Sequence, residues 1–347
     1  MKVFGESVEI DVPEIDFPSE EVIREMEAPL DINGGTHGWF ESTNEEKERL
    51  HYRVFLPSTD PPAAPEAIVI FQHGLQSHSG MAYILSDGRK TNVALLTHEY
   101  QTSGFAVYSP DLIGHGYSEG GRHVLPSNDI LVQDLLKFVK LAASFHKSGT
   151  PIFLAGESLG GNLALQVAKY IQENPDFLPN FEGLILFSPA IYPNTIYAPV
   201  RYILEFGLVP IFGDRRLPSW VPNPIAPERI WRDPERLEIG KKKDGIMGAG
   251  RHPPYKTLLT LTNAMVKVRD ETIPGLTVPF CLVHGAKDLA IPVAGAEFLV
   301  RTVSTPPADF AYGRYEEALH DLLGEPEAPE VMKFTQDWIE KRLANSV

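Results

Sequence analysis

The sequence predicts an α/β protein, with one mostly parallel sheet flanked by helices and an insert late in the chain. Three observations carry this. From Ala67 to Ser188, short apolar runs of strand length alternate with amphipathic stretches of helix length, the signature of crossover units around a parallel sheet. One run passes into one helix through a Gly-Glu-Ser-Leu-Gly turn, Gly156 to Gly160. The alternation then stops: eleven prolines fall between Ile191 and Pro274, and strand-like sequence resumes only at Pro279.

Taken in order, residues 1–30 are acidic and proline-punctuated and read as an N-terminal extension. The core is expected over residues 31–190 and 275–347, with 191–274 inserted as a cap. Trp39–Phe40 and Leu50–Leu56 suggest an opening hairpin, followed by a proline-rich loop from Pro57 to Pro65. Strands are expected at Ala67–Gln72, Phe105–Ser109, Pro151–Ala155 and Gly183–Ser188. Helices are expected at Thr91–Gln101, Asp129–Phe145 and Leu159–Ile171, the second because Leu131, Leu135, Phe138, Ala142 and Phe145 recur at helical spacing. The insert opens with a very apolar stretch, Tyr202–Phe212, carries Trp220 and Trp231, and closes on a helix, Tyr255–Arg269, whose Leu258, Leu261, Met265 and Val268 share a face. Pro279–Val283, Ala294–Val303, Tyr312–Tyr315 and Pro329–Leu343 complete the pattern as strand, helix, strand, helix.

Composition narrows the function. With 347 residues, 43% of them hydrophobic, the chain can bury a large core. A net charge of −15 argues against nucleic-acid binding, which depends on basic contacts to phosphate. It also argues against attraction to anionic lipid, while leaving room for a transient apolar contact with a lipid interface through the cap. Cys281 is the single cysteine, so no intrachain disulfide can form. Together with a start that lacks a signal-peptide pattern, and no apolar run near the roughly 20 residues of a membrane span, this points to a soluble, cytoplasmic protein, monomeric or a small homo-oligomer.

The chemistry begins at Ser158. In a strand–turn–helix setting, Gly-x-Ser-x-Gly is the nucleophile elbow of the α/β-hydrolase fold: serine sits on a tight turn, and its glycine neighbours let strand and helix cross. A serine hydroxyl needs a base, and the base needs a third group to orient it. In this fold the chain order is Ser, acid, His. His320, between the last strand and the last helix, is the expected base. His284 ends a strand too close to the acid and reads as structural, and His252 reads as exposed. Asp288, 130 residues after Ser158 and 32 before His320, is the expected acid. Asp111, after an earlier strand, is the alternative, and Asp321 is a rival by sequence alone. The oxyanion donors are expected to be the backbone N–H groups of Leu159, next to the nucleophile, and Leu75, in the loop after Ala67–Gln72. His73 and His78 lack a third ligand at sensible spacing, so no metal is expected, and no cofactor is implied.

Four segments carry a resemblance: His73–Gly80 (HGLQSHSG), Asp111–Gly120 (DLIGHGYSEG), Gly156–Gly161 (GESLGG) and His284–Asp288 (HGAKD). Together they resemble the monoacylglycerol lipase and lysophospholipase family. Glu157 and the stretch His320–Glu327 (HDLLGEPE) are similar to its plant-type branch. The resemblance runs from Trp39 to Leu343. It implies Ser158, Asp288 and His320 as a triad, Leu75 and Leu159 as oxyanion donors, and Ile191–Pro274 as a cap over the site. Gln76 and Ser77 depart from it, standing where relatives often carry Gly and Glu, and Lys241–Gly250 reads as an added loop.

Three classes of function follow. One is hydrolysis of carboxylic esters with an apolar acyl group, monoacylglycerols or lysophospholipids among them. Another is a different chemistry on the same scaffold: an aromatic, caffeoyl-type esterase, a thioesterase, or a peptidase that would use cap carboxylates such as Glu205, Glu228 and Glu235. A non-catalytic binding module is disfavoured because every triad position is filled.

Overall fold

The computed structural model describes residues 2–3, 6–7, 35–57, 64–192, 198–242 and 250–345. Most of the extension expected over residues 1–30 therefore lies outside the described residues, as does most of the expected loop Lys241–Gly250.

Eight strands form the central sheet: β1 (Thr36–Glu41), β2 (Arg49–Phe55), β3 (Ala67–Gln72), β4 (Phe105–Pro110), β5 (Ile152–Glu157), β6 (Phe181–Phe187), β7 (Phe280–Gly285) and β8 (Phe310–Tyr315). Their spatial order is β8-β7-β6-β5-β3-β4-β2-β1. β3 to β8 run parallel to one another, while β2 joins β4 and β1 joins β2 antiparallel. The sheet is thus mostly parallel, as its near-continuous apolar strands require: a strand buried on both faces has no polar side to present.

Side-chain alternation sorts the core into two layers. Ile68, Ile70, Leu154, Leu184 and Leu282 point to one face, beneath α2 (Asn128–Ser144), α3 (Leu159–Glu173) and α9 (Ala294–Thr302). Val69, Phe71, Phe153, Ile185 and Val283 point to the other, beneath α1 (Asn92–Thr102) and α10 (Ala328–Asn345). A period of two along each strand is what places consecutive residues on opposite faces. Cys281 belongs to the second layer, and burial pushes its thiol up out of the reactive range.

The insert lies between β6 and β7. Its opening apolar stretch is helical: α4 (Ala198–Ile203) continues through a π-turn, Leu204–Leu208, into α5 (Val209–Phe212). Two short helices, α6 (Pro227–Ile230) and α7 (Pro234–Lys242), follow. Then comes α8 (Tyr255–Lys267), which also ends in a π-turn, Val268–Thr272. No helix among the described residues is long and apolar enough to cross a membrane.

Candidate active site

Ser158 sits at the carboxyl end of β5, at φ 52° and ψ −117°. Non-glycine residues enter that region only when their surroundings hold them there, at a cost of order 1–3 kcal/mol. Here the surroundings are specific. Ser158 N–H donates to Phe187 O at 3.0 Å, and Ser158 O accepts from Ala190 N–H at 2.8 Å and Asn162 N–H at 3.1 Å. The flanking glycines make room. A Cβ on Gly160 would lie 2.0 Å from Gln72 O, and one on Gly156 would lie 2.4 Å from Gly160 O. The crossing of strand and helix therefore excludes any side chain at either position.

The loops after β7 and β8 end at the same edge of the sheet, and they bring Asp288 to His320. His320 Nδ1 donates to Asp288 Oδ2 at 2.6 Å, and both residues are buried. Asp288 Oδ1 accepts the backbone N–H groups of Ala290 and Ile291, both at 2.8 Å. Burial would raise the Asp288 pKa, but the charge of His320 and the hydrogen bonds from His284 and His320 hold it below the usual carboxylate range. Burial likewise works against charge on His320, yet Asp288 outweighs it and the imidazole pKa is raised. His284, expected to be structural, braces the acid directly: Nε2 lies 3.2 Å from Asp288 Oδ2 and 3.0 Å from Ile291 O. Both neighbours are acceptors, so the proton is on Nε2. His252, expected to be exposed, is half-buried, with Nε2 donating to Val221 O at 2.8 Å.

Asp111 is engaged elsewhere. It accepts from His51 Nδ1 at 2.7 Å, Ser79 N–H at 2.6 Å and Tyr117 N–H at 3.1 Å. It thereby pins the far end of the loop after β3. His73 fixes the near end: Nδ1 donates to Gly74 O at 2.7 Å while Nε2 accepts from Leu112 N–H at 3.0 Å. Burial, chiefly, lowers the His73 pKa, which suits the neutral tautomer those two bonds demand. Between these anchors the loop runs against the elbow, where a Cβ on Gly74 would lie 3.0 Å from Ser158 Cβ. Leu75 is the next residue. Leu159 opens α3, where an N–H has no intrahelical acceptor. Gln76 adopts φ 59° and its amide donates to Arg251 O in the insert at 3.0 Å. That left-handed conformation is the physical reason a glycine suits the position. No group of three or more potential metal ligands comes together among the described residues.

Two halves of the insert meet this site differently. Around α6 and α7 the contacts are polar. Trp231 Nε1 donates to Asp321 Oδ2 at 2.5 Å, and Arg236 Nε donates to Asn92 Oδ1 at 2.9 Å. Arg232 pairs with Glu325 and Glu327, Asp233 with Arg89, and Glu235 accepts from Ser86. Around α4, α5 and α8 the contacts are apolar and enclose a chamber of about 550 Å³. Val200 faces it from α4, Leu204 and Leu208 from the π-turn, and Leu258 and Met265 from α8. A small cleft of about 60 Å³ holds Ser158 and His320, and the chamber shares Leu75, Ile225, Leu261, Ala290 and Ile291 with it. No carboxylate is among the described residues lining the chamber. Of the insert carboxylates a peptidase would use, Glu228 pairs with Lys241 and Glu235 binds Ser86, and neither they nor Glu205 line the chamber.

A strained serine between two obligate glycines, at the carboxyl edge of a parallel sheet in this strand order, defines a serine hydrolase of the α/β-hydrolase fold. The chain belongs to the family described as serine aminopeptidase, S33, whose signature matches residues 63–327. It is 28% identical over 299 residues to a monoacylglycerol lipase of Mycolicibacterium smegmatis, covering 85% of this chain and 94% of that one. It is 27% identical over 250 residues to a caffeoylshikimate esterase of Arabidopsis thaliana, covering 70% and 71%. Among solved structures, a soluble variant of the monoglyceride lipase of Saccharomyces cerevisiae superposes with a TM-score of 0.68 at 19% identity, covering 87% of this chain and 95% of that one.

Proposed function

We propose that the protein hydrolyses carboxylic esters carrying one long apolar chain and a small polar head, monoacylglycerols or lysophospholipids, through an acyl-enzyme on Ser158. In this reading His320 takes the Ser158 proton as Oγ attacks the ester carbonyl. Asp288 holds the imidazole and stabilises its charged form, and the N–H groups of Leu75 and Leu159 receive the developing oxyanion. His320 then returns the proton to the departing alcohol, and a water activated by the same histidine releases the fatty acid. Residues 191–274 act as the cap. The outward residues Tyr202, Ile203, Phe206 and Ile211, with the largely exposed Trp220, make a transient contact with a lipid surface. The lone buried cysteine fits a reducing, cytoplasmic setting.

The observation that carries the reading is the apolar chamber beside the cleft of Ser158, which shares five lining residues with it. Its volume lies within the range of small-molecule sites, and no carboxylate among its described lining residues could pair with an ammonium group. The resemblance of the chain to monoacylglycerol lipase points the same way. Each methylene buried in the chamber contributes about 0.8 kcal/mol, close to fourfold in kcat/KM. Across 4-nitrophenyl esters kept below micelle concentration, kcat/KM should therefore climb from about four acyl carbons to eight or more. A second reading, an aromatic esterase, draws on the Arabidopsis relative. A maximum at acetate or butyrate, or a preference for a caffeoyl ester, would select it and reject the lipid substrate.

A further inference from the structure

Behind Ser158 lies a buried carboxyl pair. Glu157 immediately precedes the nucleophile at the end of β5, and Asp321 immediately follows His320. Both side chains are buried and line the cleft that holds Ser158 and His320, near enough for Asp321 to raise the Glu157 pKa. Two carboxyl groups so placed share a proton, because two buried anions would repel. The remaining partners of Asp321 decide which group holds it. Asn92 Nδ2 at 2.6 Å, Trp231 Nε1 at 2.5 Å and Gly324 N–H at 3.0 Å all donate to Asp321. Arg236 Nη2 stands 3.9 Å away, its guanidinium stacked between the rings of Trp231 and Tyr83. Asp321 is therefore the acceptor and Glu157 the acid. Burial first, and then Asp321, raise the Glu157 pKa well above the carboxylate range, with Arg236 opposing.

We propose that Glu157 is a positioning residue that works as a neutral acid, its O–H bond to Asp321 fixing the elbow of Ser158 against the loop of His320. The proposal rests on those two residues being nucleophile and base. The hydrogen bond between His320 and Asp288 sets the orientation of the imidazole, whereas the distance between the two loops is set by what joins them, and this pair joins them one residue from each reacting group. A displacement of about 1 Å in such a pair can cost 10²-fold in rate.

The same bond makes activity sensitive to alkali. Once Glu157 loses its proton, two carboxylates face one guanidinium and the tie becomes a repulsion. The titratable and charged groups around the pair are Arg236 and Asp233 from α7, Tyr83 from the short hairpin Ala82–Ile84 and Lys90–Thr91, and His320 and Glu325 from the loop after β8. Burial pushes the Tyr83 phenol up to about 12. On this proposal an alkaline loss of kcat below that point is assigned to Glu157.

The test is kcat and KM for a soluble 4-nitrophenyl ester across the neutral and alkaline range, in wild type and in Glu157→Gln, Glu157→Ala, Asp321→Asn and Ser158→Ala. Glutamine can still donate to Asp321 and cannot titrate. It should keep kcat within about threefold of wild type and lack the alkaline fall, whereas alanine should lose about tenfold or more in kcat with KM little changed. Asp321→Asn removes the charge that keeps Glu157 protonated and leaves Arg236 to favour its ionised form. Its alkaline fall should therefore move to lower pH, a readout that does not depend on the alanine variant folding. A glutamine variant as damaged as alanine, one that keeps the wild-type alkaline fall, or an Asp321→Asn variant with an unmoved fall would overturn the proposal. If Ser158→Ala retains activity, the assignment of the nucleophile fails instead. If Ser158→Ala is inactive and Glu157→Ala matches wild type, the positioning role alone fails.

Discussion

At the scale of single residues, with His320 as the proposed base, its raised pKa sets how activity should respond to acid. Serine can lose its proton only to a neutral imidazole, so kcat/KM should fall as pH drops through a value above 6.5, the ordinary value for histidine. Replacing Asp288 with Asn removes the main group that raises this pKa and leaves only Asp321 to oppose burial. The acid limb should shift to lower pH while kcat drops by about 10⁴-fold. A limb that stays in place in Asp288→Asn, or the same collapse produced by Asp111→Asn with Asp288→Asn mild, would assign the acid elsewhere. The meeting of Asp288 and His320, and the cleft that His320 shares with Ser158, were legible because each residue stands in a local pattern: glycines two residues either side of the serine, and a loop after a strand for the other two. The brace from His284 to Asp288 was half-legible, since the four-residue spacing was visible but not the direction of the ring. The hydrogen bond from Asn92 to Asp321 was not legible, because it joins positions 229 residues apart that only the fold brings together.

At the scale of elements, the stretch Tyr202–Phe212 shows what periodicity conveys and what it conceals. Its apolarity marked it as unusual, but a continuous apolar run suits a buried strand or a helix alike, so its helical form was not legible. The π-turn at Leu204–Leu208 carries no sequence signature, yet it sets which residues face inward. Leu204 and Leu208 line the chamber, while Phe206 and Ile211 are exposed, at 68% and 70%. Phe206→Ser combined with Ile211→Ser should weaken binding to neutral phosphatidylcholine vesicles by about tenfold or more, since each side chain forfeits an apolar transfer of more than 1 kcal/mol. Turnover of a soluble short-chain ester should change less than about twofold. Equal loss on soluble and vesicle-borne substrate would mean that this face serves folding and not the interface. The short hairpin Ala82–Ile84 and Lys90–Thr91 went unread because two or three residues per strand give no alternation to detect.

At the scale of the whole molecule, charge and topology act together. A formal charge of −15 opposes approach to an anionic surface, whatever the apolar face offers. Hydrolysis of a monoacylglycerol should be slower in micelles containing phosphatidylglycerol than in neutral ones. The gap should narrow as added salt shortens the screening length to about 10 Å at 0.1 M. Faster turnover on the anionic micelles would reveal a local basic docking face that outweighs the net charge. The sheet order was legible only as a class, from alternation. Which strands neighbour which depends on crossover handedness and on pairings far apart in sequence, such as β3 beside β5.

The unequal attachment of the insert bears on how such an enzyme can diversify. Residues 198–226 furnish much of the chamber wall, while 227–242 carry the polar ties to Arg89, Asn92, Asp321 and Glu325. The first segment is therefore the more exchangeable one: provided Arg216, which reaches Arg122 and His123, and Ile225, which also lines the cleft of Ser158, are kept, a relative's sequence should replace it, longer or shorter, and alter what the chamber admits. The second is part of the chassis. A chimera joined before Pro227 should trade one substrate for another; a chimera joined beyond Arg236 strips Asp321 of two of its partners and should lose activity along with selectivity.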